Sequence, residues 1–255
     1  MRDTSLFEKF LNTAYGRRIW RAFLQTKKGT ENPVEMILSK FRLEHNSGYL
    51  EIGGGFGEKT LKIAKKYGFK NIDFIEPSKK ASDIFTKKAK SHRFGFRIFN
   101  TPFEKFQPDT KYDLITSIHS WYYIDLKEID KLYNILNKNG VACIFLDRKS
   151  DTIKKIQDVC EKFLGFQSNN IEDIVEYFEK RKIKYNLFCE NKKLKGLIKN
   201  NKLTERARTI ISLVSYTPWD KILNITKEEI RLMLIKLSKN DTYPINRCLI
   251  VIRKP

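Results

Sequence analysis

From residue 48 onward, short apolar runs alternate with amphipathic segments of about ten residues. Because parallel neighbours in a sheet need crossovers of this length, the alternation indicates βαβ units and a parallel sheet covered on both faces. We therefore expect an α/β fold with a doubly wound, seven-stranded and mostly parallel sheet. The predicted strands are Tyr49–Ile52, Asn71–Ile75, Phe94–Phe99, Tyr112–Ile118, Val141–Leu146, Lys184–Cys189 and Cys248–Ile252, and the predicted helices are Glu58–Lys66, Lys79–Lys90, Leu126–Leu136, Thr152–Leu164 and Ile171–Lys180.

Two further regions accompany this core. Residues 5–41 carry apolar positions at helical spacing, which predicts two or three helices before the first strand. The charged stretch near 192–239 is too long for an ordinary loop and predicts a helical cap before the last strand. Because no linker or repeat interrupts the chain, we expect a single domain. Its parts would be an N-terminal helical region at 1–45, a cofactor-binding core at 46–190, a helical cap insertion at 191–240 and the last strand at 241–255.

Composition argues against several classes of protein. The four cysteines and three histidines lack the spacing of a metal site, so no metal is expected. The chain has no apolar leader and no run of about 18 apolar residues, which predicts a cytoplasmic protein without a membrane span. A formal charge of +20 would suit nucleic acid. The lysines are spread along the whole chain, however, which favours solvated faces, so a nucleic-acid partner stays open without being favoured.

A glycine-rich segment, Glu51–Ile52–Gly53–Gly54–Gly55–Phe56–Gly57, lies between the first predicted strand and the first predicted helix. Glycines permit a tight turn and a close approach of the backbone to a ligand. The carboxyl end of the first strand is also where α/β sheets bind nucleotide-type cofactors. A dinucleotide fingerprint would need glycine at position 58, where Glu58 would oppose a diphosphate. The loop therefore disfavours NAD.

An acid follows the second strand in Glu76–Pro77–Ser78, where a carboxylate can accept hydrogen bonds from both hydroxyls of a ribose. Together with this acid, the spacing Glu-x-Gly-x-Gly-x-Gly resembles the cofactor site of class I S-adenosylmethionine-dependent methyltransferases. The resemblance implies a Rossmann-like methyltransferase with S-adenosyl-L-methionine as its cofactor. It implies that Glu51 holds the ammonium end of the ligand and that Thr101 and Phe103 lie near the adenine. Thr101 could equally be an ordinary turn residue, and Phe103 could equally belong to the hydrophobic core.

The fourth strand is followed by His119–Ser120–Trp121–Tyr122–Tyr123, where the donor methyl group would emerge. Methyl transfer mainly requires a positioned, unprotonated acceptor, so His119 is the candidate base or hydrogen-bonding residue. The aromatic residues could hold a cationic acceptor or could simply belong to the core. The chain lacks the Asn/Asp-Pro-Pro-Tyr/Phe motif of enzymes that methylate amino groups of nucleic-acid bases, which argues against an enzyme of that kind.

The Ile-Gly-Gly-Gly-x-Gly-Glu, Glu-Pro-Ser and Tyr-Tyr segments together resemble the histamine N-methyltransferase family. Two departures, His119 in place of the family's glutamine and Ile245 opposite its asparagine, argue against histamine itself as the acceptor. We expect methyl transfer to a small-molecule acceptor, at an amine or imidazole nitrogen. An RNA or protein methyltransferase and a cofactor-binding protein without transfer activity remain alternatives. The implied cofactor-binding residues are Glu51, Gly53, Gly55, Gly57, Glu76, Pro77, Thr101 and Ile118, and the implied substrate-binding residues are Glu31, His119, Tyr122 and Tyr123.

Overall fold

The computed structural model describes residues 9–10, 13–16, 18–19, 37, 48–165 and 167–255. The chain divides into two compact units. The first, here called the helical unit, comprises Met1–Thr30, Asp147–Asn170 and Cys189–Arg247. The second, here called the sheet unit, comprises Glu31–Leu146, Ile171–Phe188 and Cys248–Pro255. The single-domain organisation inferred from the sequence stays a prediction.

The fold is a seven-stranded, mostly parallel sheet flanked by helices, which confirms the predicted α/β class. The strand order is β3-β2-β1-β4-β5-β9-β6, and β7 and β8 form a separate hairpin. The strands are β1 (Tyr49–Ile52), β2 (Asn71–Ile75), β3 (Gly95–Phe99), β4 (Tyr112–Ile118), β5 (Leu136–Asp147), β6 (Asn186–Lys195), β7 (Ile198–Lys199), β8 (Lys202–Leu203) and β9 (Thr242–Arg253). The helices are α1 (Glu58–Tyr67), α2 (Lys79–Ser91), α3 (Glu128–Asn134), α4 (Thr152–Leu164), α5 (Ile171–Arg181), α6 (Glu205–Ser215) and α7 (Asn224–Leu237).

The sheet separates two hydrophobic cores, because successive residues of a strand point to opposite faces. On one face Leu50 and Ile144 pack with residues of α3 and α5. On the other face Tyr49 and Phe145 pack with residues of α1 and α2. Strands buried on both faces explain the nearly continuous apolar runs in the sequence.

Parallel pairing brings the carboxyl ends of the central strands to one edge of the sheet. Ile52 at the end of β1 lies opposite Ile75 at the end of β2, which in turn lies opposite Phe99 at the end of β3. The end of β4, Ile118, lies opposite Phe145. The loops that carry the predicted cofactor and acceptor residues therefore begin at the same edge.

Several predicted elements have other limits in the structure, and among them β6 and β9 extend well beyond the predicted Lys184–Cys189 and Cys248–Ile252. The helix predicted over Leu126–Leu136 is only α3, and β5 begins much earlier than Val141. A register irregularity between Tyr112 and Leu114 lets Leu136 pair with Tyr112, which extends the strand backward.

The segment predicted to be a helical cap begins instead with the end of β6 and the β7–β8 hairpin, and it becomes helical only at Glu205. Asn200 and Asn201, which link the hairpin strands, both have positive φ, as a tight two-residue hairpin turn requires. Of the predicted N-terminal helices, residues 9–10, 14–16, 18–19 and 37 are helical, and the remainder lies outside the described residues. Within the described part of the chain, no helix is long and apolar enough to cross a membrane.

Candidate cofactor and acceptor site

The glycine-rich loop after β1 takes the left-handed conformation at three of its glycines, with φ of 66° at Gly53, 57° at Gly55 and 74° at Gly57. A Cβ atom at Gly53 would lie 2.3 Å from the Cβ of Ser120, and one at Gly57 would lie 2.2 Å from the ring of Phe85. A Cβ atom at Gly55 would meet nothing within 4 Å. Packing therefore requires Gly53 and Gly57, whereas Gly55 leaves open space beside the backbone for a ligand.

The carboxylate of Glu76 is fixed at the end of β2, beside this loop. The Gly55 N–H donates to Oε2 and the Ser78 N–H donates to Oε1, both at 2.9 Å. A carboxylate can accept about four hydrogen bonds through its two oxygens. The sequence-predicted pair of Gly55 and Glu76 is thus brought into direct contact, in a geometry that suits a ribose with two adjacent hydroxyl groups.

Asn100, at the end of β3, supports Glu76 and was not predicted as a site residue. Its Nδ2 donates to the carbonyl of Glu76 at 3.0 Å and to the Ser82 hydroxyl at 2.7 Å. The signal available in the sequence was an amide directly after a strand, at the edge where the cofactor loop lies. Neighbouring Thr101 and Pro77, on the loops after β3 and β2, are partly buried.

Phe103 does not stack on an open surface. Its ring is buried in the core and lies 5.7 Å from the ring of Trp121. The core explanation of this phenylalanine is therefore correct, and Trp121 is likewise a core residue.

Glu51 is buried, with 2 % of the residue exposed, and its carboxylate lies beside two hydroxyl groups. Its Oε2 accepts hydrogen bonds from the hydroxyls of Tyr49 and Thr116, both at 2.6 Å. Burial raises the pKa of Glu51 to about 7. The carboxyl is therefore close to changing its charge near neutral pH, and its contact with a ligand ammonium stays a prediction.

Ser120 joins the end of β4 to the glycine-rich loop. Its hydroxyl donates to the carbonyl of Ile52 at 2.7 Å and lies 2.6 Å from the hydroxyl of Ser117. The small side chain also fits against Gly53. Sequence reasoning missed both serines, since a serine after a strand carries little signal by itself. Ile118, a predicted cofactor residue, is buried at the end of β4.

His119 adopts a left-handed backbone with φ of 58°, which is uncommon for a residue other than glycine. Its N–H donates to the carbonyl of Phe145 at 2.9 Å, and its Nδ1 lies 2.9 Å from the Tyr122 hydroxyl. The imidazole is nearly parallel to the Tyr122 ring, at an interplanar angle of 14°, and its edge meets the Phe145 ring at 89°. Strained backbone held in this way is found most often at functional sites.

The structure therefore brings together two of the predicted acceptor residues, His119 and Tyr122. Tyr123 is partly buried, with its ring centre 6.1 Å from that of Tyr122. Glu31 lies outside the described residues. Among the described residues, no group of histidine, cysteine, aspartate or glutamate side chains could hold a metal ion.

Known proteins resemble this chain in both sequence and fold. A family model described as a methyltransferase domain matches residues 13–191. Malonyl-[acyl-carrier protein] O-methyltransferase 1 of Ilyobacter polytropus is 26 % identical over 132 residues, which cover 51 % of this chain and 48 % of that protein. Alpha N-terminal protein methyltransferase 1 of Dictyostelium discoideum is 26 % identical over 153 residues, 51 % of each chain. The chain thus spans about half the length of these curated relatives.

A solved structure shows the same fold over nearly the whole chain. The N-methyltransferase NodS of Bradyrhizobium japonicum WM9, in complex with S-adenosyl-L-homocysteine, has a TM-score of 0.54 and 16 % identity and covers 99 % of this chain and 97 % of its own. This likeness concerns the fold, whereas the family model covers well over half of the sequence. The chain therefore belongs to the methyltransferase domain family and has the Rossmann-like fold of class I S-adenosylmethionine-dependent methyltransferases.

Proposed function

We propose that this protein transfers a methyl group from S-adenosyl-L-methionine to a small-molecule acceptor, at an amine or imidazole nitrogen. The observation that carries the proposal is the contact between Gly55 and Glu76, at the end of β2 and beside open space along the loop. A cytoplasmic location is part of the same proposal.

The residues present fit an adenosylmethionine molecule. Glu76 would accept the ribose hydroxyls, because backbone donors fix both of its oxygens beside the loop and a carboxylate can accept several hydrogen bonds. Gly53, Gly55 and Gly57 would let the loop backbone approach the ligand, and Ile118 and Thr101 would line its path. Glu51 would face the ammonium end, and Pro77 would fix the loop after Glu76. When bound, S-adenosyl-L-methionine supplies an activated methyl group on its sulfonium.

On the acceptor side, His119 would accept the proton of the acceptor nitrogen. For this role the proton of the neutral ring would lie on Nδ1 and be donated to the Tyr122 hydroxyl, so that Nε2 is the basic nitrogen. Tyr122 and Tyr123 would provide an aromatic wall for a cationic or imidazole substrate, and Glu31 would contribute a carboxylate. The resemblance to the histamine N-methyltransferase family supports this acceptor class, and His119 in place of its glutamine favours a different molecule.

A second candidate function is methylation of a macromolecule or a carrier-bound group. It is favoured by the formal charge of +20, since lysine-rich surfaces attract acidic proteins and nucleic acid. The names of the two curated relatives, one acting on a malonyl group of an acyl carrier protein and one on protein N-termini, support the same candidate. A protein that binds the cofactor without transfer is the third alternative.

Isotope-labelled S-adenosyl-L-methionine would distinguish these candidates when the protein is incubated with separate pools of small amines, imidazoles, acyl carrier protein and RNA. Label in the small-molecule pool supports our proposal. Label only in carrier protein or RNA would contradict it, and cofactor binding with no labelled product in any pool would favour the third alternative.

Replacing Glu76 tests the cofactor site independently of the acceptor. We expect Glu76→Ala to weaken binding of S-adenosyl-L-homocysteine about 100-fold in calorimetry, because two hydrogen bonds to a charged acceptor are lost. Asp83→Ala is the matched control, since it removes an exposed carboxylate of α2 that pairs with Lys79. Equal affinity in Glu76→Ala and the wild type would overturn the assignment.

A further inference from the structure

Large exposed apolar side chains are concentrated in one part of the helical unit. Of the seven among the described residues, Leu187 is the exception, on β6 of the sheet unit. The other six lie at the end of α4 and along or just before α7. They are Phe163, Leu164, Leu223, Ile225, Leu232 and Ile235, and we call them the apolar patch.

Helix α7 is apolar on two sides. Thr226, Ile230 and Leu234 are buried against the rest of the unit. Leu232 and Ile235 lie seven and ten residues after Ile225, so these three residues share a second face of the helix, which is exposed. Leu223 and Ile225 are 61 % and 65 % exposed. Packing within the unit uses only the buried face of α7, so it does not explain the apolar side chains on the exposed face.

The last turn of α4 lies against this helix. The Lys162 Nζ is 3.3 Å from the Glu229 carboxylate, which sits on the exposed face of α7 between Ile225 and Leu232. Phe163 and Leu164 directly follow Lys162 on α4, so the apolar patch includes exposed residues of both helices.

The charges around the patch leave a positive balance. The two acids on the exposed face of α7 are both paired, Glu228 with Arg231 at 2.5 Å and Glu229 with Lys162. Trp219, just before α7, lies between two cations, 4.9 Å from the Lys227 Nζ and 5.4 Å from the Arg208 guanidinium. In the part of the chain that the structure describes, Lys221, Lys236 and Lys239 have no carboxylate partner, against one exposed acid without a basic partner, Asp220.

We propose that the apolar patch docks on the surface of an anionic membrane. Aliphatic residues ringed by lysines, with a tryptophan at one end, are the composition of helices that lie in the lipid headgroup region. A second copy of the chain fits less well, because each copy carries a formal charge of +20 and would repel the other. The convex face of a helix also suits a deformable lipid surface.

Vesicle sedimentation of the full chain tests the proposal. We expect the protein to sediment with vesicles of phosphatidylcholine and phosphatidylglycerol, to do so far less with phosphatidylcholine alone, and to be released by high salt. The double variant Leu232→Glu/Ile235→Glu should bind the anionic vesicles at least about tenfold more weakly, because it places two carboxylates where apolar groups would enter the lipid.

Leu187→Glu is the control, since it introduces one carboxylate at an exposed leucine outside the patch. It should bind like the wild type, and circular dichroism should show that all variants are folded. The proposal would be overturned if the wild type failed to sediment with the anionic vesicles, or if the double variant sedimented with them equally strongly. A dimer in size-exclusion chromatography that only the double variant dissociates would also overturn it, by assigning the patch to a second copy.

Discussion

The two halves of the candidate site are built from different kinds of contact. On the donor side, the glycine-rich loop and Glu76 are held by backbone donors at 2.9 Å and by glycines in left-handed conformations. On the acceptor side, the main chain of His119 is likewise held by a backbone hydrogen bond, but the rings of His119 and Tyr122 are placed by a side-chain hydrogen bond and ring contacts. Backbone geometry constrains the sequence at each position, whereas ring contacts tolerate many side chains. A donor site is therefore easier to read from a sequence than an acceptor site.

The largest expected effect separates two glycines of the same loop. Gly57→Ala should lower the free energy of unfolding by about 4 kcal/mol, because it combines a left-handed backbone with overlap on the Phe85 ring. Gly55→Ala should lower the free energy of unfolding by only about 1 kcal/mol, since the new side chain strains the left-handed backbone but overlaps no neighbour. It should nevertheless weaken cofactor binding, because its methyl group fills the open space. Urea denaturation and calorimetry with S-adenosyl-L-homocysteine measure the two quantities. Equal losses of stability would mean that packing does not distinguish these positions.

A smaller effect concerns Glu51, which lies on the donor side. Because its folded pKa of about 7 lies above the ordinary 4.5, the folded state keeps a proton that the unfolded state has released between these values. The free energy of unfolding should therefore fall as the pH rises from about 4.5 to about 7. Glu51→Gln should remove roughly 3 kcal/mol of this dependence, measured as the difference between variant and wild type in urea titrations at several pH values.

The quantity to compare is the difference in the free energy of unfolding between Glu51→Gln and the wild type at each pH. Burial also raises the pKa of Asp151, which adds a slope of the same sign in both proteins and cancels in the subtraction. A pH-independent difference between Glu51→Gln and the wild type would show that Glu51 is ionised throughout.

The smallest effect is expected on the acceptor side. Tyr122→Phe keeps the ring against His119 but removes the hydroxyl at Nδ1, a contact worth about 1 kcal/mol. We expect kcat to fall about fivefold, the pH profile of kcat/KM to shift, and cofactor affinity to stay the same. Tyr185→Phe removes a hydroxyl that bonds Glu179 on α5 and serves as the control. Parallel losses in both variants, or an unshifted pH profile, would argue against a positioning role for Tyr122.

The fold was largely predictable because strands buried on both faces leave unbroken apolar runs. β1, β2, β4 and α4 have the predicted limits. The strand predicted at Val141–Leu146 lies within β5, but its beginning was missed because the pairing of Leu136 with Tyr112 depends on a register irregularity that no local pattern records. On the donor side, Glu76 was predictable from its place after a strand. Asn100 and Ser120 were not, because each acts through a contact with a residue far away in the sequence.

The left-handed backbone of His119 restricts how this protein could acquire a new acceptor. Asparagine, aspartate and glycine tolerate that conformation, whereas valine, isoleucine and threonine would strain the turn that follows β4. Directed evolution at this position would therefore sample a short repertoire of side chains, all small or able to hydrogen-bond. Changes of substrate should accumulate instead at neighbouring aromatic positions, where the main chain imposes no such filter.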